Sequence, residues 1–196
     1  MSTFESIIYQ IKWFVYCNWK YAKYVFKHKY YVFTECYKRG IPFRGLFHDW
    51  HKFLPAEWFP YAYYFYHENG TLFNGDTSYW HYKHHVQIEQ NFTKAWLKHQ
   101  KRGNHHWQYW ILLKDNTPFH KRLDIENALP IPDKIIKEMV SDWIGAGRAI
   151  HGNDDAMNWY KQNKDKMILH PDSRMKVELL LNKHECERMK NDYSII

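Results

Sequence analysis

A histidine is followed directly by an aspartate at His48-Asp49, inside the run Gly45-Leu46-Phe47-His48-Asp49-Trp50-His51-Lys52-Phe53. His28 precedes it by 20 residues; His99, the pair His105-His106 and Asp142 follow. Imidazole and carboxylate are ligands that suit zinc, iron, manganese and similar divalent ions. An adjacent His and Asp can place both side chains on one ion, and the carboxylate can bridge to a second. Each of these residues alone is more often a satisfied polar group in a core; it is the set that points to a metal. A bound divalent ion makes hydroxide available near neutral pH and neutralises a phosphoryl oxygen. Lys52 and Arg44 flank the pair and can hold phosphate, although Arg44 also reads as an ordinary surface cation. Glu57 can orient water or bind a substrate hydroxyl, or merely serve the first turn of its own helix. Glu138 and Asp142 are spaced i,i+4 and can face one site, with Glu138 able to orient a ligand histidine from behind.

Fourteen histidines are present, so several must be bland. His67, His120, His151, His170 and His184 sit near loops or element ends and read as solvated, and His51 reads as facing water. His81, His84 and His85 share one helix face, either as ligands or, the reading favoured here, as a wet face rich in histidine. Trp50, Trp58, Trp107, Trp110 and Trp143 lie near the candidate ligands in sequence. They offer a stacking surface for a nucleobase, although each singly is more often core.

Helices must bring these residues together. Ser2 or Thr3 can cap a first helix with Ile7, Ile8, Ile11, Phe14 and Val15 at helical spacing. A second stretch, roughly Tyr21 to Lys38, carries His28 and ends at Arg39-Gly40. Pro55-Ala56-Glu57 opens another helix, which Glu68-Asn69-Gly70 breaks. Asp76 or Ser78 can cap the next, from about Tyr79 towards Lys101. The segment from Lys114 to Pro130 reads as irregular. Pro132 then starts a helix through Asp142 to about Ile150, Asn153 or Asp154 caps a short one, and Pro171-Asp172-Ser173 opens the last. No useful strand-period alternation, tandem repeat or low-complexity linker is visible.

The length, 196 residues, favours a single domain with a substantial core. Aromatic residues make up 19%, which supplies large buried area per residue. Mean hydropathy is −0.73, no run approaches the ~20 apolar residues of a membrane span, and no signal-peptide pattern opens the chain. Three scattered cysteines without CxxC spacing argue against a disulfide framework and a cysteine zinc site, and predict buried free thiols in a reducing cytosol. A formal net charge of +7 favours anionic partners such as nucleotides or nucleic acid.

The order H…HD…H…HH…D resembles the HD-domain superfamily of metal-dependent phosphohydrolases, and Lys52 completes HDxxK, a form seen in several of its branches. The runs HDWHKFLPAEWFPYAYYF, AWLKHQKRGNHHWQYW and EMVSDWIGAG resemble blocks of an uncharacterised phage and bacterial family, DUF5662, in which His51 usually is Ser. That block layout groups His99, His105, His106 and Glu138 with the HD core. Nucleotidases of the superfamily often carry an acid where Lys52 stands. Its cyclic-dinucleotide phosphodiesterases carry a Glu where Tyr24 stands, so substrate is transferred from neither branch. The resemblance implies an all-α, HD-domain-like helical bundle: one domain over 1–196, its metal-site core at about 21–150, with C-terminal helices over 153–190 packed on it.

The expected activity is hydrolysis of a nucleotide, cyclic nucleotide or related phosphate ester by metal-activated hydroxide. The expected catalytic residues are Asp49, Lys52, Glu57 and Glu138. His28, His48, Asp49, Asp142, His99, His105 and His106 hold one or two divalent ions, with Mn, Fe, Co, Zn and Mg not distinguished. Lys52 and Arg44 bind a small anionic substrate. The alternatives are a di-iron oxygenase on the same fold and a non-catalytic metal-containing protein that binds nucleotide or nucleic acid. A cytoplasmic location, the host's if phage-encoded, and no membrane partner are expected.

Overall fold

A computed structural model of the chain describes residues 3–67, 79–113, 115, 118 and 125–193. Among them the fold is all-α: α1 (Thr3–Lys38), α2 (Pro42–Phe47), α3 (Pro55–Tyr66), α4 (Tyr79–Arg102), α5 (Asp133–His151), α6 (Ala156–Asn163) and α7 (Pro171–Tyr193). Two compact units are traced through the chain, one from 1–27 and 49–99, the other from 28–48 and 100–196.

The first unit is held by aromatic rings. Tyr21 and Val25 of α1, Tyr61 and Ala62 of α3 and Ala95 of α4 are buried together, with Trp58, Phe92 and Trp96 packed against them. Trp58 meets Tyr21 edge-on at 4.9 Å, and Tyr64 stacks on Phe92 at 3.8 Å. Such pairs add about 0.5–1.5 kcal/mol beyond the area they bury. Pro55 occupies the first turn of α3, where its missing N–H costs nothing. A 3-10 turn, Trp50–Phe53, leads into that helix. Asp49 precedes it at φ 50°, in the left-handed region that aspartate tolerates better than most residues.

The second unit is built on α5. Ile135, Ile136, Met139, Val140 and Ile144 recur at helical spacing and are buried against Tyr160 of α6 and Val177 and Leu181 of α7. Two glycines set how closely its helices approach α1. A Cβ on Gly145 would lie 2.5 Å from Val32 Cγ2, and one on Gly45 would lie 2.7 Å from Cys36 Cβ. Gly145 therefore lets α5 lie directly on α1, one turn from Asp142, and Gly45 does the same for α2, which ends at His48. Lys29 Nζ fixes that end, donating to the carbonyls of Leu46 and His48 at 2.8 Å each.

Several expectations need correction. The first two predicted helices are one continuous helix, because Tyr16-Cys17-Asn18-Trp19-Lys20 contains no Gly or Pro to interrupt it; Gly40, at φ +73°, ends it. Asp155, not Asn153 or Asp154, precedes α6. The stretch around 114–130 is not wholly irregular where described: Ile111 pairs with Ala128, and Ile125–Asn127 forms a 3-10 turn. Cys17 and Cys36 are buried, but Cys186 is exposed. The predicted caps Ser2, Asp76 and Ser78, the break at 68–70 and His120 lie outside the described residues.

Candidate metal centre

In the second unit, α1 supplies His28, the end of α2 supplies His48, and α5 supplies Glu138 and Asp142. His28 Nε2 and His48 Nε2 each lie 3.2 Å from the same oxygen, Asp142 Oδ1. Ligand atoms about 2.0–2.1 Å from a tetrahedral ion stand roughly 3.3 Å apart, so this spacing fits donors sharing one ion. The opposite ring nitrogen of His48, Nδ1, is 3.1 Å from Glu138 Oε1. A carboxylate behind a histidine in this way fixes its tautomer and aims its other nitrogen. His105 joins the group: its ring is 4.4 Å from that of His48, Nδ1 is 3.5 Å from Glu138 Oε1, and Nε2 is 4.0 Å from Asp142 Oδ2. His106 is half-buried and packs its ring on His105 at 4.3 Å. Arg44 donates to Glu138 and, at 2.8 Å, to Asn104 Oδ1.

The charges here are strongly biased. Burial works against ionisation of Asp142, yet His48 and His28 outweigh it and hold the carboxyl well below the usual range. Glu138 is likewise buried, and His48, His105 and Arg44 pull it below its ordinary value. Both are therefore carboxylates at neutral pH, the state a divalent ion needs.

The first unit holds a parallel arrangement. Glu57 Oε2 lies 3.0 Å from both His51 Nδ1 and His99 Nδ1. Burial opposes the charge on Glu57, but these hydrogen bonds bring its carboxyl down to about 2. His99 then presents Nε2 towards Asp49 Oδ2, 3.5 Å away, while Trp96 stacks on its ring. Lys52 Nζ sits 2.7 Å from that same Asp49 oxygen and is buried. His51, Glu57 and His99 form one buried group able to hold a cation; His48, His105 and Glu138 form another.

Sequence reasoning placed His51 in water; it is buried against Glu57, whose second imidazole it supplies. It also took His184 as solvated, but His184 Nε2 is 2.7 Å from Asp154 Oδ2. Arg44 is an engaged cation rather than a surface one. Lys29 and Asn104 were missed; the Asn104-His105-His106 run was a signal for the latter. Glu57 holds two imidazoles. His84 and His85 are exposed, as a wet face requires; the side chain of His81 lies outside the described residues. Trp58 and Trp143 are engaged in packing, Trp143 stacking on Tyr160, and Trp107 and Trp110 pack against the α5 core. Trp50 is exposed.

A family model described as "Family of unknown function (DUF5662)" matches residues 17–183. The chain belongs to the DUF5662 family. The matched span contains every candidate ligand named above. Comparison with curated proteins and with solved structures gave no match. No helix among the described residues is long and apolar enough to cross a membrane.

Proposed function

We propose that this DUF5662 protein is a metal-dependent phosphohydrolase of HD type, acting on a nucleotide, cyclic nucleotide or related phosphate ester. One observation carries the reading: two imidazoles from different helices converge on a single oxygen of Asp142, and a buried carboxylate aims one of them from behind. The HD assignment adds the order His28, His48-Asp49, Asp142 and the HDxxK run.

In this reading His28, His48 and Asp142 hold a divalent ion, with His105 and His106 as further donors of the second unit; Asp49 and His99 are donors of the first unit. Such an ion supplies an acidified water and charge neutralisation at a phosphoryl oxygen. The protein's own groups do the rest. Glu138 and Glu57 are positioning residues: each keeps a histidine's Nδ1 engaged so that Nε2 stays aimed. Lys52 supplies a buried ammonium for the anionic substrate, and Arg44 a second cation. The net charge of +7 suits an anionic ligand.

The test is phosphate release from a nucleotide panel in Mn, Mg, Co or Fe by protein purified without chelator. Metal-dependent hydrolysis is expected, with Lys52→Ala retaining metal and losing about 100-fold or more in rate. Turnover that requires oxygen would instead establish an oxygenase. Salt-dependent nucleic-acid binding without turnover would establish a binding protein.

A further inference from the structure

Within the first unit, α1 turns an apolar line to solvent. Phe4, Ile8, Ile11, Val15, Trp19 and Phe26 are all exposed, with half-buried Ala22 in the remaining place. The steps between these positions are 4, 3, 4, 4, 3 and 4 residues. This is an 11-residue repeat, about 3.67 residues per turn, close to the 3.6 of an undistorted helix. The line therefore runs nearly straight along the helix.

Its size is unusual for a face that stays in water. Phe4 is 70%, Trp19 60% and Phe26 63% exposed. With about 150–250 Å² for each aromatic side chain, the three rings alone present about 300–500 Å², to which Ile8, Ile11 and Val15 add. A typical monomer's largest apolar patch is about 300–600 Å², and each partner in a standard interface contributes about 800 Å².

The spacing reads the same in both directions about Val15: Phe4 exchanges with Phe26, Ile8 with Ala22, and Ile11 with Trp19. A surface that maps onto itself under reversal is what a two-fold interface requires. The charges agree. Glu5 is the sole acid between Phe4 and Lys27, and Lys12, Lys20, Lys23 and Lys27 follow it. Reversal sets the acidic end against Lys23 and Lys27, whereas parallel pairing would set each lysine against its own copy.

We propose that this face is an interface with a second copy of the chain, α1 against α1, antiparallel, about a two-fold axis near Val15. The inference does not depend on the metal chemistry. Sedimentation of the full chain tests it. A dimer is expected at about 10 μM, with Val15→Glu weakening association by about 100-fold or more while circular dichroism and metal content stay unchanged. In a Cys186→Ser background, mixing Phe4→Cys with Phe26→Cys should give a disulfide-linked heterodimer under mild oxidation, and neither alone should cross-link. A monomer, a dimer indifferent to both Val15→Glu and Trp19→Glu, self-cross-linking of Phe4→Cys, or a monomer that co-sediments with phosphatidylserine vesicles would overturn the proposal.

Discussion

Glu138 touches three partners that matter at once: the His48 ring, the His105 ring and the Arg44 guanidinium. Removing its charge while keeping its shape separates aiming from ligation. Glu138→Gln should bind metal about 10–100-fold more weakly yet still bind it, because His28, His48 and Asp142 remain. Competition with a chromogenic chelator measures this, and unchanged affinity would make Glu138 a structural acid. At this scale the sequence was informative wherever residue type alone constrains chemistry, as at His28, His48-Asp49, Asp142 and the i,i+4 pair of Glu138 and Asp142. It was silent wherever a partner comes from far along the chain. Nothing near His51 in helical register announces that it shares Glu57 with His99, a residue 42 positions beyond that acid.

Among the elements, the approach of α5 to α1 decides whether Asp142 and His28 meet, and Gly145 permits that approach. A methyl there would press on Val32 side chain and backbone, the latter unable to swing aside. Gly145→Ala should destabilise the fold by about 2 kcal/mol through overpacking and weaken metal binding as well. Thermal unfolding with and without added metal checks both effects; an unchanged Tm would show that the helices can part at no cost. The helices themselves were legible from apolar periodicity and from the stop at Arg39-Gly40. Their joints were less so. The division of α1 into two helices was mistaken because no Gly or Pro interrupts the chain between Phe14 and Tyr21, and Asn18 bonds back to the Phe14 carbonyl inside the helix instead of capping a new one.

Across the second unit a network independent of the ligand cluster ties α1 to the C-terminal helices. Buried Glu35 receives Lys38 and Arg148 at 2.8 Å and also Arg39, and Arg148 continues to Asp154 at 2.7 Å. Burial alone would raise the pKa of Glu35, but these cations bring it down to about 2. A carboxyl depressed in the folded state contributes stability that is complete above its unfolded value, near 4.5. That stability is lost as pH falls from there towards about 2. Glu35→Gln should cost about 2 kcal/mol at neutral pH, because the buried acid gives up its charge-assisted hydrogen bonds from Arg39 and Arg148. It should also flatten the stability profile over that acid range in denaturant titrations; an unchanged acid limb would remove Glu35 from the account. None of this network was read from the sequence, because its members span residues 35 to 184 and each looks like an ordinary surface charge.

The central claim is that His28, His48 and Asp142 hold a divalent ion, and metal content measures it directly. Protein purified without chelator, and protein reloaded with Mn, Fe, Co or Zn after stripping, should carry close to one or two ions per chain by mass spectrometry. Asp142→Asn, folded by circular dichroism, should lose at least one of them. A wild-type chain that takes up none of these metals, or an Asp142→Asn chain that binds as many as wild type, would contradict it.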